Sequence, residues 1–204
     1  MAEVGFVERT LSAYPGKISA VISLSHAENC RRKQIVDYSL KEFDGVKKDL
    51  LDNPMVTAIF IDGIDGCTQW KKYAEIVSWA KSNNLSIGVC DYGAESKEIN
   101  EALSGNTVDF VRVYAHLKDL KDKGHIEKLK KNLAKVRASG IRYEFCLGID
   151  NSIEDVAAIK DIYQLFSPCS NFVVQSDEEL DIHTKEKIAE LTKDIQNLIL
   201  RLWY

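Results

Sequence analysis

The chain of 204 residues is long enough for one domain with a sizeable core and short for two, which predicts a single domain over residues 1–204. Its apolar fraction of 45% and charged fraction of 28% are those of an ordinary globular domain and exclude extended disorder or fibrous structure. A net charge of −4 gives no overall basic excess, so we expect no nucleic-acid partner.

Short apolar, β-branched runs alternate with longer amphipathic segments along the chain. This alternation predicts βα units and a parallel sheet that is buried on both faces. In chain order, the predicted strands are residues 17–24, 56–62, 85–90, 108–114, 141–147, 171–175 and, as a seventh, 197–202.

Three helices are marked by periodicity and by their ends. Apolar residues recur at spacings of three and four in residues 69–82, which indicates a helix with one buried face. A capping box at residues 152–155 begins a helix that runs to about Leu165. Gly140 stands where a glycine should end the helix of residues 126–138.

The apolar runs and the cysteines indicate the compartment. Runs such as residues 56–61 are far shorter than the roughly 20 residues of a membrane helix, and the N-terminus does not resemble a signal peptide. The five cysteines are odd in number and scattered, unlike a disulfide framework. We therefore expect a cytoplasmic protein with free thiols and no membrane partner.

Sites in parallel α/β folds form in the loops that leave the carboxyl ends of the strands. Three cysteines lie in or near such loops here, namely Cys30, Cys67 and Cys90, and these are the residues to test for a metal, with His26 as a further ligand. No pair of them has C-x2-C spacing, and buried free cysteine commonly serves as a small hydrophobe. We therefore expect no metal site.

Charged residues in the same loops suggest two other kinds of ligand contact. Asp62, Asp65 and Asp91 place carboxylates on neighbouring loops, as a divalent cation or an amino group would require, although Asp is also an ordinary turn residue. Arg31 and Arg32 follow the first strand and would begin a helix, where they are candidates for binding an anion. The lysine-rich segment 118–137, by contrast, is interpreted as the solvated face of a peripheral helix.

The N-terminal run of residues 5–24, with its turn Tyr14-Pro15-Gly16-Lys17, resembles the opening of anaerobic ribonucleotide reductase activating proteins. These are radical S-adenosylmethionine (SAM) enzymes of the glycyl-radical activase group. The resemblance implies a partial (β/α)6 TIM-like barrel of the radical SAM type. It continues in outline at residues 62–66 (a "GGEP" turn in the family), 90–93 (a "TNG"-like turn), 108–111 (a "VDYV" strand) and 189–201 (the closing helix and strand).

The family's cluster motif is missing from this chain. After the first strand the family carries C-x3-C-x2-C, because three thiolates hold three irons of a [4Fe-4S] cluster. Residues 25–34 keep only Cys30. A [4Fe-4S] cluster is therefore not expected as a cofactor, and we assign no catalytic residue.

The resemblance also suggests which residues line a SAM-like cleft. It puts Gly63 and Asp65 in the turn that contacts the SAM amino group, and it puts Tyr114 and His116 where the family has Asp-x-Lys. Together with Asp91 these residues are the predicted ligand-binding set, and SAM is a candidate ligand.

Loss of the chemistry with retention of the scaffold predicts a non-catalytic relative of these activases, a binding or regulatory module. Its partner would be a glycyl-radical-type reductase, another protein, or a small molecule in the cleft that binds SAM in the family. Two enzymatic alternatives stay open: a cluster held by Cys30, Cys67 and Cys90, and cluster-free chemistry that uses Asp65, Asp91 and His116. A third alternative is not enzymatic: a role in assembly, with an exposed Trp203-Tyr204 terminus.

Overall fold

A computed structural model of the chain describes residues 3–24, 41–62, 70–93, 96–150, 153–176 and 179–202. Its strands are β1 (Glu3–Thr10), β2 (Ser19–Leu24), β3 (Lys41–Glu42), β4 (Ala58–Asp62), β5 (Ser86–Asp91), β6 (Phe110–His116), β7 (Arg142–Ile149), β8 (Phe172–Ser176) and β9 (Leu198–Arg201). Its α-helices are α1 (Phe43–Leu51), α2 (Trp70–Ser82), α3 (Ser96–Leu103), α4 (Lys123–Ser139), α5 (Ile153–Phe166) and α6 (Ile182–Thr192).

The strands of the described ranges form one sheet in the order β3-β1-β2-β4-β5-β6-β7-β8-β9. Seven consecutive strands of this sheet pair in parallel, namely β2, β4, β5, β6, β7, β8 and β9. Each of them corresponds to a predicted strand to within two residues at either end. The predicted α/β class with a parallel sheet is therefore confirmed.

Two further strands, β1 and β3, extend the sheet at one edge and were not predicted. β1 pairs antiparallel with both β2 and β3. A register shift between Phe6 and Glu8 breaks its alternation, and Glu8 and Arg9 interrupt its apolar pattern. The sequence pattern of this segment is therefore typical of a loop. The segment forms a strand because its backbone pairs with β2.

The uninterrupted strand order places the helices on one face of the sheet. Right-handed crossovers that always step to the next strand in the same direction keep every helix on the same side. Buried side chains from all six helices accordingly join one apolar cluster with alternate strand residues. The opposite face, which we call the inner face, carries a second cluster drawn in the described ranges from strands and loops alone, including Tyr14, Phe60, Phe110 and Tyr114.

Helix ends follow the chemistry of their capping residues. The Asp122 carboxylate accepts the Gly124 N–H at 2.8 Å where α4 begins, and Gly140 ends α4 with φ of 72°, as predicted for that glycine. The capping box expected at residues 152–155 includes Ser152, which lies outside the described residues. Among the described helices, none combines the length and the apolarity needed to cross a bilayer.

Candidate functional site

Only part of the predicted ligand-binding set can be placed. Gly63 and Asp65 lie outside the described residues, as do the anion candidates Arg31 and Arg32 and two of the three cysteine candidates, Cys30 and Cys67. The structure brings Tyr114 and His116 together: they stand two residues apart on β6, and their side chains therefore share the inner face at its carboxyl end.

Asp91, the remaining member of that set, lies on the other side of the sheet. It ends β5 in register with Val113, which belongs to the helix-side cluster. Its carboxylate accepts the Gly93 N–H at 3.0 Å and the Asn132 amide of α4 at 3.1 Å. These bonds tie the end of β5 to α4, so Asp91 does not join Tyr114 and His116.

Two tyrosines cover the carboxyl end of the inner face. The rings of Tyr92 and Tyr114 meet edge to face, with centroids 5.2 Å apart. The Tyr92 hydroxyl donates to the buried Asp62 carboxylate at 2.7 Å, which links the ends of β4 and β5. A Cβ at Gly148 would overlap the Tyr114 hydroxyl, so only glycine leaves room for this tyrosine.

His116 is buried and is held at both ring nitrogens. Its Nδ1 accepts the Lys118 N–H at 3.3 Å. The proton of the neutral ring is therefore on Nε2, which donates to Asp150 at 2.9 Å. This pair links the ends of β6 and β7. The His116 side chain is 3% exposed, whereas the Asp150 carboxylate lies at the surface and is 49% exposed.

An ion cluster lies deeper on the inner face, formed by Arg112 of β6, Glu144 of β7 and Arg201 of β9. The fully buried Glu144 carboxylate accepts Arg112 Nε at 2.5 Å. The same carboxylate accepts two nitrogens of Arg201, at 2.9 and 3.2 Å. Burial alone would lower the pKa of Arg112, but the charge of Glu144 and smaller electrostatic contributions together raise it further, so the net direction is upward and the guanidinium stays charged. One carboxylate thus serves two guanidinium groups.

The turn that precedes β2 closes the amino-terminal end of this face. Arg112 donates to the Ser12 carbonyl at 2.7 Å and to the Ala13 carbonyl at 2.9 Å. Tyr14 is 2% exposed, and its ring occupies the space where Gly88 has no side chain. The tyrosine of the Tyr14-Pro15-Gly16-Lys17 turn is therefore part of the core.

Cys90, the third cysteine candidate, lies on the inner face and is 1% exposed. Burial, and secondarily the charge of Asp62, raise the pKa of the Cys90 thiol well above its ordinary value. The neutral thiol is thus favoured over the thiolate that metals and electrophiles require. In the part of the chain that the structure describes, no three His, Cys, Asp or Glu side chains converge as a metal site.

The ion cluster was missed by the sequence interpretation, although the sequence holds a signal for it. Arg112 and Glu144 each stand inside an apolar run that was itself predicted as a buried strand. A charge in such a run needs a partner, because an unpaired buried charge is very costly. Charges of opposite sign in two neighbouring predicted strands therefore indicate a pair, and the register of β6 and β7 places them opposite each other.

The site that these residues form is a polar layer on the inner face beneath two tyrosines, at the edge where ligands bind in parallel α/β folds. The described polar groups of this layer bind one another or the backbone, which stabilises the ends of β4 to β7. No protein-family model matches the chain, and no curated protein does so either.

Proposed function

We propose that the chain is a non-catalytic relative of the glycyl-radical activases, a partial (β/α)6 barrel that acts as a binding or regulatory module. The observation that carries this proposal is the mutual engagement of the polar side chains at the carboxyl ends of the strands. Tyr92 donates to Asp62, and both nitrogens of His116 are engaged by Asp150 and the Lys118 N–H. These groups hold the scaffold together, which is a structural role.

Two features of the fold support the barrel part of the proposal. Seven parallel strands follow one another in chain order, as they do around α/β barrels. Tyr14 of the turn that carries the family resemblance is also buried, and Arg112 binds the carbonyls of Ser12 and Ala13 just before it. This turn therefore has a role in folding that does not depend on catalysis, which explains how it could persist after the chemistry was lost.

The cysteines of the chain argue against radical chemistry on a [4Fe-4S] cluster. Residues 25–34 contain one cysteine where the activases have three. Cys90, the described candidate for a substitute ligand, is buried with a raised pKa. A thiol of that kind favours the proposed non-catalytic role over a cluster built from Cys30, Cys67 and Cys90.

The mouth of the inner face is where the module would take a small ligand. Asp150 is half-exposed there, and Tyr92 is partly exposed beside the buried Tyr114. An aromatic surface next to a carboxylate suits a ligand with a flat ring and a cationic or hydroxyl group. SAM has both features, and a reductase-type protein is the alternative partner that the resemblance implies.

The test is anaerobic reconstitution with iron and sulfide, followed by measurement of both elements per chain. We expect no cluster absorption and no more iron than in a control in which Cys30, Cys67 and Cys90 are all replaced by Ala. About four irons per chain, lost in the triple variant, would overturn the proposal and establish the unorthodox cluster.

A thermal-shift screen with SAM, nucleotides and sugar phosphates separates a small-ligand module from one that binds only protein. A ligand that binds only the folded state raises the midpoint of unfolding, and the shift grows with the logarithm of ligand concentration once that concentration exceeds the Kd. We expect Tyr92→Ala to abolish any such shift, while Tyr163→Ala, which removes a tyrosine on the helix-bearing side, leaves the ligand-dependent increment unchanged.

A further inference from the structure

The charges of the chain are divided unequally between neighbouring helices. Residues 117–139 hold eight basic and three acidic residues, a net charge of +5. Residues 150–196 hold four basic and eleven acidic residues, a net charge of −7. The whole chain carries only −4, so these two segments form a basic surface and an acidic surface within one small domain.

Both surfaces lie on the helix-bearing face of the sheet. Arg137 of α4 donates to the carbonyls of Phe166 and Pro168, at the end of α5, and α5 packs on α6. The basic surface consists of the exposed lysines of α4 and the turn before it: Lys118, Lys121, Lys123, Lys128 and Lys131. The acidic surface consists of the exposed carboxylates on and around α6: Glu179, Asp181, Glu186, Glu190 and Asp194.

The basic surface has the wrong composition for a membrane. Leu129, Leu133 and Val136 of α4 are buried in the domain, and the exposed positions of the helix carry lysine, glutamate, serine, alanine and glycine. An interfacial helix needs an exposed apolar face as well as its charges.

Nucleic acid is also disfavoured. The exposed side of α4 presents no aromatic residue on which a base could stack. In addition, the 181 residues outside segment 117–139 carry 19 basic and 28 acidic residues, a net charge of −9 that repels a long polyanion. A compact partner that offers an acidic face beside a basic one suits this surface better.

We propose that the partner is a second copy of this chain, bound about a two-fold axis with α4 of each copy against α6 of the other. An isologous contact uses the same two patches twice, so both charged surfaces are matched at once. Because the contact is made of exposed charges, the dimer forms at low ionic strength and weakens as salt screens them.

Sedimentation velocity at low and high salt tests this arrangement with charge reversal. Lys121→Glu/Lys131→Glu lowers the net charge of residues 117–139 from +5 to +1, and Glu186→Lys/Glu190→Lys reduces that of residues 150–196 from −7 to −3. Each variant alone is expected to lose at least tenfold in dimer association constant. An equimolar mixture of the two is expected to recover part of this loss, because each mixed dimer pairs the unaltered α4 of one variant with the unaltered α6 of the other.

The control is Lys48→Glu/Lys81→Glu on α1 and α2, which changes the net charge by the same amount as the α4 variant and should dimerise like the wild type. A wild-type chain that stays monomeric at about 1 mM and low salt would overturn the proposal, since a millimolar Kd would be visible there. Failure of the mixture to dimerise would also overturn it. So would a monomer whose α4 lysines bind duplex DNA, since that result assigns the basic surface to nucleic acid.

Discussion

Replacing Glu144 with Gln tests the central structural element of the inner face. Glu144 is fully buried and is the shared acceptor for Arg112 and Arg201. The substitution keeps the shape of the side chain but leaves the buried Arg112 guanidinium and the partly buried Arg201 guanidinium without their carboxylate. Removing one partner of a buried ion pair typically costs about 3–5 kcal/mol, so we expect a loss of that size in the free energy of unfolding.

Urea denaturation measures this loss. With a slope of about 2.5 kcal/mol/M for a domain of this size, the midpoint should fall by about 1–2 M with the slope unchanged. Glu190→Gln makes the same chemical change on the surface of α6 and should shift the free energy by less than about 0.5 kcal/mol.

A double-mutant cycle assigns the effect to the ion pair. Arg112→Met combined with Glu144→Gln should cost less than the sum of the two single changes, because each single variant leaves a buried group without its partner. A midpoint shift below about 0.3 M for Glu144→Gln, or strict additivity in the cycle, would refute the claim that this carboxylate holds the inner face together.

Three further outcomes are expected. Gly148→Ala brings a Cβ into the Tyr114 hydroxyl and should lower the free energy of unfolding, measured by calorimetry, by about 1–3 kcal/mol, whereas Gly45→Ala, in open space on α1, should raise it by about 0.5–1 kcal/mol. Equal effects would contradict the assigned packing. Because burial raises the pKa of Cys90 above 9.0, folding favours its thiol, so stability should fall as pH rises above about 9, and Cys90→Ala should flatten that slope. Asp181 caps α6, and its hydrogen bonds with Thr184 lower the pKa of its carboxyl, so Asp181→Ala should speed hydrogen exchange in the first turn of α6. The wild type should lose the same protection as the pH falls below about 3.8. Unchanged exchange would refute the cap.

The fold was predictable where burial dictates the sequence pattern. β4 to β9 are apolar runs between amphipathic segments, and each was predicted to within two residues at either end. β1 was not predicted, because its register shift and its charged residues remove the alternation that marks a strand. The ladder with β2 stabilises it, and that pairing is invisible to local periodicity.

The site was predictable only where a residue's face could be inferred. Tyr114 and His116 share a face because they stand two apart on β6. Asp91 was expected in a loop, but β5 continues through it, and a shift of one residue along a strand turns a side chain to the opposite face. Partners from strands that are not consecutive, such as Arg201 of β9 for Glu144 of β7, depend on the three-dimensional arrangement of the sheet, which no local pattern contains.

Reductive cleavage of SAM by the anaerobically reconstituted chain tests the non-catalytic assignment most directly. The assay follows SAM consumption with excess reductant and compares the wild type with the variant lacking Cys30, Cys67 and Cys90. The proposed function predicts no turnover above the triple variant. Turnover in the wild type that disappears in the triple variant would contradict it and would make the chain an active radical enzyme.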